Sequence, residues 1–230
     1  MTCLMARTEL LESGRLTDDP ASLKGLRIGL LPGRGDDYLC FRGILDQGGL
    51  TMDDVEREPV PHGGQARRKW VQEGSVDVII GRRPASIADE IADGHVRVWK
   101  AGDDIYAGFQ ARYLVANTDF LATSRPVLLR FLEAYIRGVG DVLGSYERAK
   151  TGDLSGLAHI SLLTGEPIDH LRSIKPVGYH PTGAIDMPRL EAEVTKLREA
   201  GLFPSDLAID AVVDTSCIAE VAQRATAGSV

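Results

Sequence analysis

The chain has 230 residues, a formal net charge of −7, 26% charged residues and 43% apolar residues. This composition is ordinary for a globular protein, with material for one large domain or two small lobes. The acidic balance and the 6% of aromatic residues argue against general nucleic-acid binding, DNA or RNA, which needs a basic face or base-stacking platforms.

The sequence contains no membrane or export signal that we recognise. No apolar run approaches the roughly 18 residues of a spanning helix. The opening residues, MTCLMARTELLESG, lack the charged head, long apolar middle and small-residue cleavage site of a secretory signal. Taken literally, the sequence predicts a protein that stays in the cytoplasm.

The first half of the chain alternates between predicted strands and predicted helices. This alternation predicts a mostly parallel sheet covered by helices, and apolar runs such as VDVII fit strands buried on both faces. We therefore expect a compact α/β lobe over about residues 22–105. The predicted strands are 26–31, 55–60, 76–80 and 96–100, and the predicted helices are 37–47, 65–73 and 86–92.

The second half is predicted to be almost entirely helical after a single strand at 110–116. The helix at 126–143 carries an apolar stripe at helical spacing, and such a stripe needs a sheet to cover. One isolated strand cannot form a sheet, so these helices should expose apolar surface. We expect this lobe to be incomplete, or completed by a partner. The stripe residues are Leu128, Phe131, Leu132, Tyr135, Val139 and Val142.

The turn between the first predicted strand and its helix is the best candidate for a binding site. A tight strand-to-helix turn presents unpaired N–H groups at the positive end of the helix dipole, and glycines let a guest approach the backbone. The alternative is a plain turn in which Asp36 or Asp37 caps the helix. These two aspartates would repel a purely anionic ligand and would suit one that also carries an amine. The candidate residues are Gly33, Arg34, Gly35, Asp36, Asp37 and Tyr38.

A second candidate is Arg82 and Arg83, which follow a buried predicted strand. Ligands of open α/β sheets bind at the carboxyl ends of strands, and an arginine can fork onto a carboxylate, sulfonate or phosphate. The alternative is a solvated pair that begins a surface helix.

The cysteines and histidines predict no metal or cofactor site and no catalytic pair. Cys3, Cys40 and Cys217 have neither metal-ligand spacing nor a disulfide pattern, so we expect three buried free thiols. The five histidines are scattered, and only His62 lies in a loop at the expected ligand end. No nucleophile–base signature surrounds any cysteine.

The order and spacing of several phrases resemble a known family. Among them are SLKGLRIGLLPGRGDDYL, WVQEGSVDVIIGRRP, YLVANTDFLATSRPVLLRFLEAYIRGV and VGYHPTGAID. The chain is similar to the extracytoplasmic solute-binding proteins of nitrate/sulfonate/taurine-type ABC importers and to their thiamine-precursor relatives. The resemblance implies an α/β fold of the periplasmic-binding-protein-like (type II) architecture with two lobes.

The resemblance also implies a division of the chain. Residues 1–9 would be a hinge-strand segment, residues 10–106 a complete α/β ligand-binding lobe, and residues 107–230 the returning, mostly helical part of the other lobe. That other lobe would be truncated, because the family's opening segment and its export signal are missing from the match.

The function implied is the binding of a small anionic or zwitterionic organic solute by hinge closure, with an ABC-transporter permease as partner if the protein is full-length and with a periplasmic location. The ligand head would meet the turn at Gly33, with Arg82 and Arg83 close by. Asp104 and Tyr106, just before the return crossing, would line the hinge side of the cleft or else be turn residues. We expect a binding protein rather than an enzyme. The alternatives are a cytoplasmic enzyme on the same fold (a desulfinase or a pyrimidine synthase) and a non-binding remnant or a subunit completed by another chain.

Overall fold

The computed structural model describes residues 2–33, 35–61, 71–82, 94–108, 112–173 and 179–226. It divides into two compact units: unit 1 comprises Met1–Ala111 and Glu193–Pro204, and unit 2 comprises Arg112–Ala192 and Ser205–Val230. Residues 193–204 therefore group with the first part of the chain, whereas the resemblance put them with the second. No helix in the described ranges combines the length and the apolar character needed to cross a bilayer.

Unit 1 is built on a five-stranded sheet with the strand order β3-β2-β4-β1-β5. Strands β2, β3 and β4 are mutually parallel, and β1 is antiparallel to both of its neighbours, β4 and β5. Four of the five strands thus run in one direction, which confirms the expected mostly parallel sheet, with β1 as the exception. The strands are β1 (Thr2–Arg7), β2 (Arg27–Leu30), β3 (Glu56–Pro59), β4 (Val78–Arg82) and β5 (Val96–Ala101).

The central strands are buried on both faces, as the apolar runs predicted. In β1, Leu4 points into one core cluster and the next residue, Met5, into another on the opposite face. The same alternation separates Ile80 from Ile79 in β4. Because successive side chains of a strand face opposite ways, a strand that is apolar throughout fits only between two covering layers.

Helix α2 (Gly35–Gln47) covers one of these faces. Phe41 and Ile44 are fully buried in the cluster that also holds Leu4 and Ile80, and each such burial contributes about 1.5–3 kcal/mol. The helix ends before Gly49, whose φ of 65° lies in the left-handed region typical of a helix stop. The described residues of unit 1 also include α1 (Thr8–Glu12) and the short 3₁₀ helices Pro20–Leu23, Met52–Asp54 and Gly102–Asp104.

In its described residues, unit 2 consists of helices joined by loops and contains no strand. Its small core is formed by Leu129 and Leu132 of α4 with Cys217 and Val221 of α8. Helix α7 begins in unit 2, and its residues from Glu193 onward belong to unit 1. The helices are α3 (Thr118–Thr123), α4 (Arg125–Ala149), α5 (Ser155–Thr164), α6 (Ile168–Ser173), α7 (Met187–Glu199) and α8 (Ser216–Thr226).

Two predictions for this part of the chain need correction. The strand predicted at 110–116 is wrong over its described part, because residues 112–116 belong to no sheet. Phe131, assigned to the packed stripe, is 52% exposed, whereas Leu129, outside that stripe, is buried. In the described part of unit 2, α4 has helices rather than a sheet to pack against, and its packed face is therefore narrower than its apolar stripe. The predicted exposure of apolar surface is confirmed, for example at Leu162, which is 80% exposed.

The predicted helices at 65–73 and 86–92 lie outside the described residues, except for residues 71–73, of which 71–72 are helical and 73 is in a turn. The division at residues 9 and 106 and the hinge role of residues 1–9 stay predictions.

Candidate functional site

The turn from β2 into α2, which we call the elbow (residues 31–38), begins the candidate site. Gly33 has a φ of 72°, which costs a residue with a Cβ more than it costs glycine, and no atom lies within 4 Å of where its Cβ would be. The glycine is thus required by the backbone and leaves open space above it. A ligand that binds to the backbone needs such open space. It also needs free N–H groups at the start of the helix.

Gly35, the first residue of α2, has a different explanation. A Cβ at this position would lie 3.2 Å from Cδ2 and 3.4 Å from Cδ1 of Leu197, a residue of the part of α7 that belongs to unit 1. The space left by the missing side chain is therefore used by a leucine of the same unit. The sequence analysis instead predicts that Gly35 contacts a ligand.

Acidic side chains already occupy the positive end of α2. Asp36 and Asp37 lie in its first turn, where the helix dipole favours negative charge, and Asp37 is only 2% exposed. A buried carboxylate here works against a second anion unless a cation accompanies it. Tyr38 follows, half-buried against the core rather than projecting freely from the elbow.

The end of β4 lies beside the elbow at the same edge of the sheet. β2 and β4 pair in parallel through Ile28 with Val78 and Gly29 with Ile79, so the carboxyl ends of the two strands, Leu30 and Arg82, lie at the same edge of the sheet. Neighbouring strands lie about 4.8 Å apart. The end of β4, at Arg82, and the elbow thus follow neighbouring parallel strands at one edge of the sheet. Arg34, Arg83 and His62 lie outside the described residues.

The loop after β5 starts at this edge but packs elsewhere. The Nε2 atom of Gln47 donates hydrogen bonds to the carbonyls of Asp104 (3.2 Å) and Ile105 (2.9 Å). A Cβ on Gly43 would lie 2.7 Å from Cγ of Tyr106. Because a helix rises 1.5 Å per residue, Gly43 lies about 12 Å along α2 from Gly35. The contacts of Asp104 and Tyr106 are therefore with the second half of α2, away from the elbow.

Sequence reasoning missed three residues that position this region: Gly43, Gln47 and Lys196. Gly43 and Gln47 lie inside a predicted helix, where nothing local marks them as contacts of a distant loop. Lys196 lies 5.3 Å from the centroid of the Tyr106 ring and donates to Asp46. A glycine in the middle of a helix was the one signal available, since it costs about 1 kcal/mol there and usually has a packing reason.

The opposite edge of the sheet holds a groove of about 270 Å³ that contains none of the predicted site residues; it is lined by Arg7, Thr8, Glu9, Glu12, Val71, Gln72, Gly94 and His95. Beneath it, Asp77 accepts hydrogen bonds from Arg27 and Arg7 at 2.8–3.3 Å. Burial acts to raise the pKa of Asp77, but the hydrogen bonds and charge of Arg27, with Arg7, outweigh burial and hold that pKa below its ordinary value. These charges are thus paired with one another as a structural ion cluster.

Known structures resemble most of this chain at low sequence identity. The periplasmic aliphatic sulphonate binding protein SsuA from Escherichia coli is 17% identical, with a TM-score of 0.60 over 93% of this chain and 65% of its own. The alkanesulfonate-binding protein SsuA from Xanthomonas axonopodis pv. citri, bound to MOPS, is 16% identical, with a TM-score of 0.62 over 93% and 69%. A mutant of the desulfurization enzyme DSZB with biphenyl-2-sulfinic acid is 16% identical, with a TM-score of 0.54 over 97% and 76%.

These likenesses establish the periplasmic-binding-protein fold. The chain spans about two thirds of the length of the sulfonate-binding proteins that it matches. No curated protein matches the sequence. The family model described as NMT1/THI5 like matches residues 7–149, which is more than half of the chain and includes the elbow, the end of β4 and the loop after β5. The chain belongs to the NMT1/THI5-like family.

Proposed function

We propose that this protein binds a small anionic or zwitterionic organic solute, a sulfonate or a compound of similar charge, at the edge of the sheet formed by the elbow and the end of β4. The observation that supports the proposal is the parallel pairing of β2 with β4, because it puts the end of β4 at the same edge of the sheet as the elbow. Backbone N–H groups at the start of α2 and arginine side chains are the groups that recognise such anions.

A zwitterion fits the charges better than a simple anion does. Asp36 and Asp37 lie in the first turn of α2, and Asp37 is almost fully buried. A ligand that carries an ammonium group beside its anionic group would meet less repulsion from the negative charge of this turn than a simple anion would. We therefore rank taurine and related amino-sulfonates above nitrate as ligands.

The setting we propose is that of a ligand-binding component of an ABC importer, acting outside the cytoplasm with a permease as partner. The fold shared with the sulfonate-binding proteins supports this role, as does family membership.

Calorimetric titration and thermal unfolding with taurine, MOPS, an alkanesulfonate and nitrate test the proposal. We expect at least one sulfonate to bind and to raise the melting temperature. The variant Arg82→Ala should weaken this binding about tenfold or more, the usual effect of losing a charge-assisted hydrogen bond. Arg97→Ala, at an exposed ion pair with Glu12, is the matched control. Absence of binding by every compound contradicts the proposal.

A second candidate function, catalysis, is favoured by the likeness to the desulfurization enzyme DSZB. The described cysteines speak against a thiol nucleophile, since Cys3, Cys40 and Cys217 are at most 5% exposed and reactive thiols are partly accessible. Incubation with an aromatic sulfinate distinguishes the two functions: consumption of the sulfinate by the protein would establish the enzyme.

A further inference from the structure

A short segment from the far end of the chain packs along helix α2. Residues 193–204 belong to unit 1, and Glu193 and Val194 at its start are buried. The next contacts come from two consecutive side chains, Lys196 and Leu197, which reach opposite ends of α2.

Leu197 contacts the first turn of α2. Its two terminal methyl groups lie 3.2 and 3.4 Å from the position that a Cβ on Gly35 would occupy, so they pack directly on the backbone at the start of the helix. The side chain is half-buried. Leu197 therefore restrains the residue at which the elbow becomes a helix.

Lys196 contacts the last turn. Its Nζ lies 2.9 Å from Oδ2 of Asp46 and 5.3 Å from the centroid of the Tyr106 ring. The other oxygen of Asp46 lies 2.9 Å from Nε of Arg42. Since Asp46 already balances the ammonium group, Lys196 serves as a bridge between α2 and Tyr106 rather than as a cation for a ligand.

The loop that Lys196 reaches is also held by α2 itself. Gln47 donates to the carbonyls of Asp104 and Ile105, and Gly43 lets the Tyr106 ring approach the helix. Lys196, in the segment 193–204, places its ammonium group 5.3 Å from the centroid of this ring. The loop after β5 is thus fixed by groups from two segments that are distant in sequence.

We propose that Lys196 and Leu197 form a clasp, the 196–197 clasp, that sets the position of the elbow and of the loop after β5 on α2. Both are positioning residues. Leu197 contacts the elbow, and Lys196 contacts the loop of Asp104 and Tyr106, which the sequence predicts to line the hinge side of the cleft; neither is proposed to touch the ligand. The clasp should also affect ligand affinity, and this consequence rests on the proposed function. Whether the clasp holds the elbow and the loop after β5 in position can be tested without any ligand.

Hydrogen–deuterium exchange of the intact protein tests the holding of the loops. Lys196→Met keeps the aliphatic stem and removes the charge, and we expect faster exchange of the amides in residues 102–108, with little change in the urea midpoint. Leu197→Ala should speed exchange at residues 35–38. Lys196→Arg, which keeps a cation over the ring, should restore most of the protection. The matched control is Lys150→Met, which breaks an exposed pair with Glu147 in unit 2.

Titration with taurine and MOPS tests the consequence for the ligand. A cation–π contact and a partly exposed ion pair are together worth about fivefold in an equilibrium constant, and this is the upper limit for an effect that reaches the ligand through the loop. Lys196→Met should therefore weaken binding measurably but by no more than that factor, and Lys196→Arg should not.

The outcomes separate the two proposals. Unchanged exchange in both clasp variants, or an equal change in Lys150→Met, overturns the clasp whatever binds. Wild-type protein that binds no probe defeats the proposed function, and exchange alone then decides the clasp. Faster exchange combined with unchanged affinity contradicts the positioning role.

Discussion

Arg27 and Asp77 form a bidentate ion pair that joins the start of β2 to the residue before β4. Nε and Nη2 of Arg27 lie 3.1 and 2.8 Å from the two carboxylate oxygens, and the backbone N–H of Arg27 donates to the same group at 2.9 Å. The carboxylate thus ties two neighbouring parallel strands together at the edge opposite the candidate site. Their relative position at that edge helps to fix the parallel pairing of β2 with β4.

We expect Asp77→Asn to lower the free energy of unfolding of unit 1 by about 2 kcal/mol, the usual loss when hydrogen bonds to a charged group are broken and a partner is left behind. We expect a smaller loss in the free energy of unfolding than for a fully buried pair, because the Arg27 side chain is 33% exposed. Urea unfolding measures the change. Asp53→Asn is the control, because the Asp53 side chain is 91% exposed and surface pairs contribute little. If both changes lower the free energy of unfolding equally, the Arg27–Asp77 pair contributes no more to stability than a surface pair does.

The same pair predicts how stability depends on pH. The folded-state pKa of Asp77 lies below its ordinary value, so folding favours the carboxylate. Its contribution is fully present above the unfolded pKa, about 4, and is lost as the pH falls through the lower folded pKa. Urea unfolding between about pH 7 and pH 3 should therefore show that the difference between wild type and Asp77→Asn is constant above about pH 5 and shrinks below about pH 4. A difference that grows on acidification would contradict the assignment.

Gly43 predicts a substitution whose sign opposes helix propensity. Alanine favours a helix interior over glycine by about 1 kcal/mol, but at this position its Cβ would lie 2.7 Å from Cγ of Tyr106 and 3.1 Å from the carbonyl oxygen of Ile105. We expect Gly43→Ala to destabilise the protein by about 1–3 kcal/mol through overpacking. In α4, no atom lies within 4 Å of a Cβ on Gly138, so Gly138→Ala should stabilise by about 0.5–1 kcal/mol. Urea midpoints of both variants that move in the same direction would contradict the packing explanation.

Much of unit 1 could be predicted from local pattern. The helix predicted at 37–47 is observed at Gly35–Gln47, because its apolar spacing, its glycine entry and its glycine stop are all local signals. The placement of β1 between β4 and β5 depends on pairing with residues about 70 to 100 positions away. Local pattern can identify such a strand, but its neighbours are decided by tertiary packing.

The candidate site shows the same limit. The elbow could be predicted from the sequence because glycines between an apolar run and a helical pattern are a local signal of a tight turn. The contacts of Lys196 with Asp46 and of Leu197 with Gly35 join residues about 150 positions or more apart, and no periodicity reports such a pair. The interpretation of Gly35 as a ligand contact therefore lacked the one fact that gives it a packing role.

The neighbouring residues Phe131 and Leu132 test which face of α4 is packed. The sequence pattern put both on the covered stripe, but Phe131 is 52% exposed and stacks on Tyr135, whereas Leu132 is 8% exposed in the core with Cys217 and Val221. Leu132→Ala should lower the free energy of unfolding of unit 2 by about 2–4 kcal/mol through lost burial and a residual cavity. Phe131→Ala should change it by less than about 1 kcal/mol. Urea unfolding of the two variants measures the contrast. If Phe131→Ala is the more destabilising, a layer beyond the described helices covers this face of α4, because only burial gives an aromatic side chain such weight.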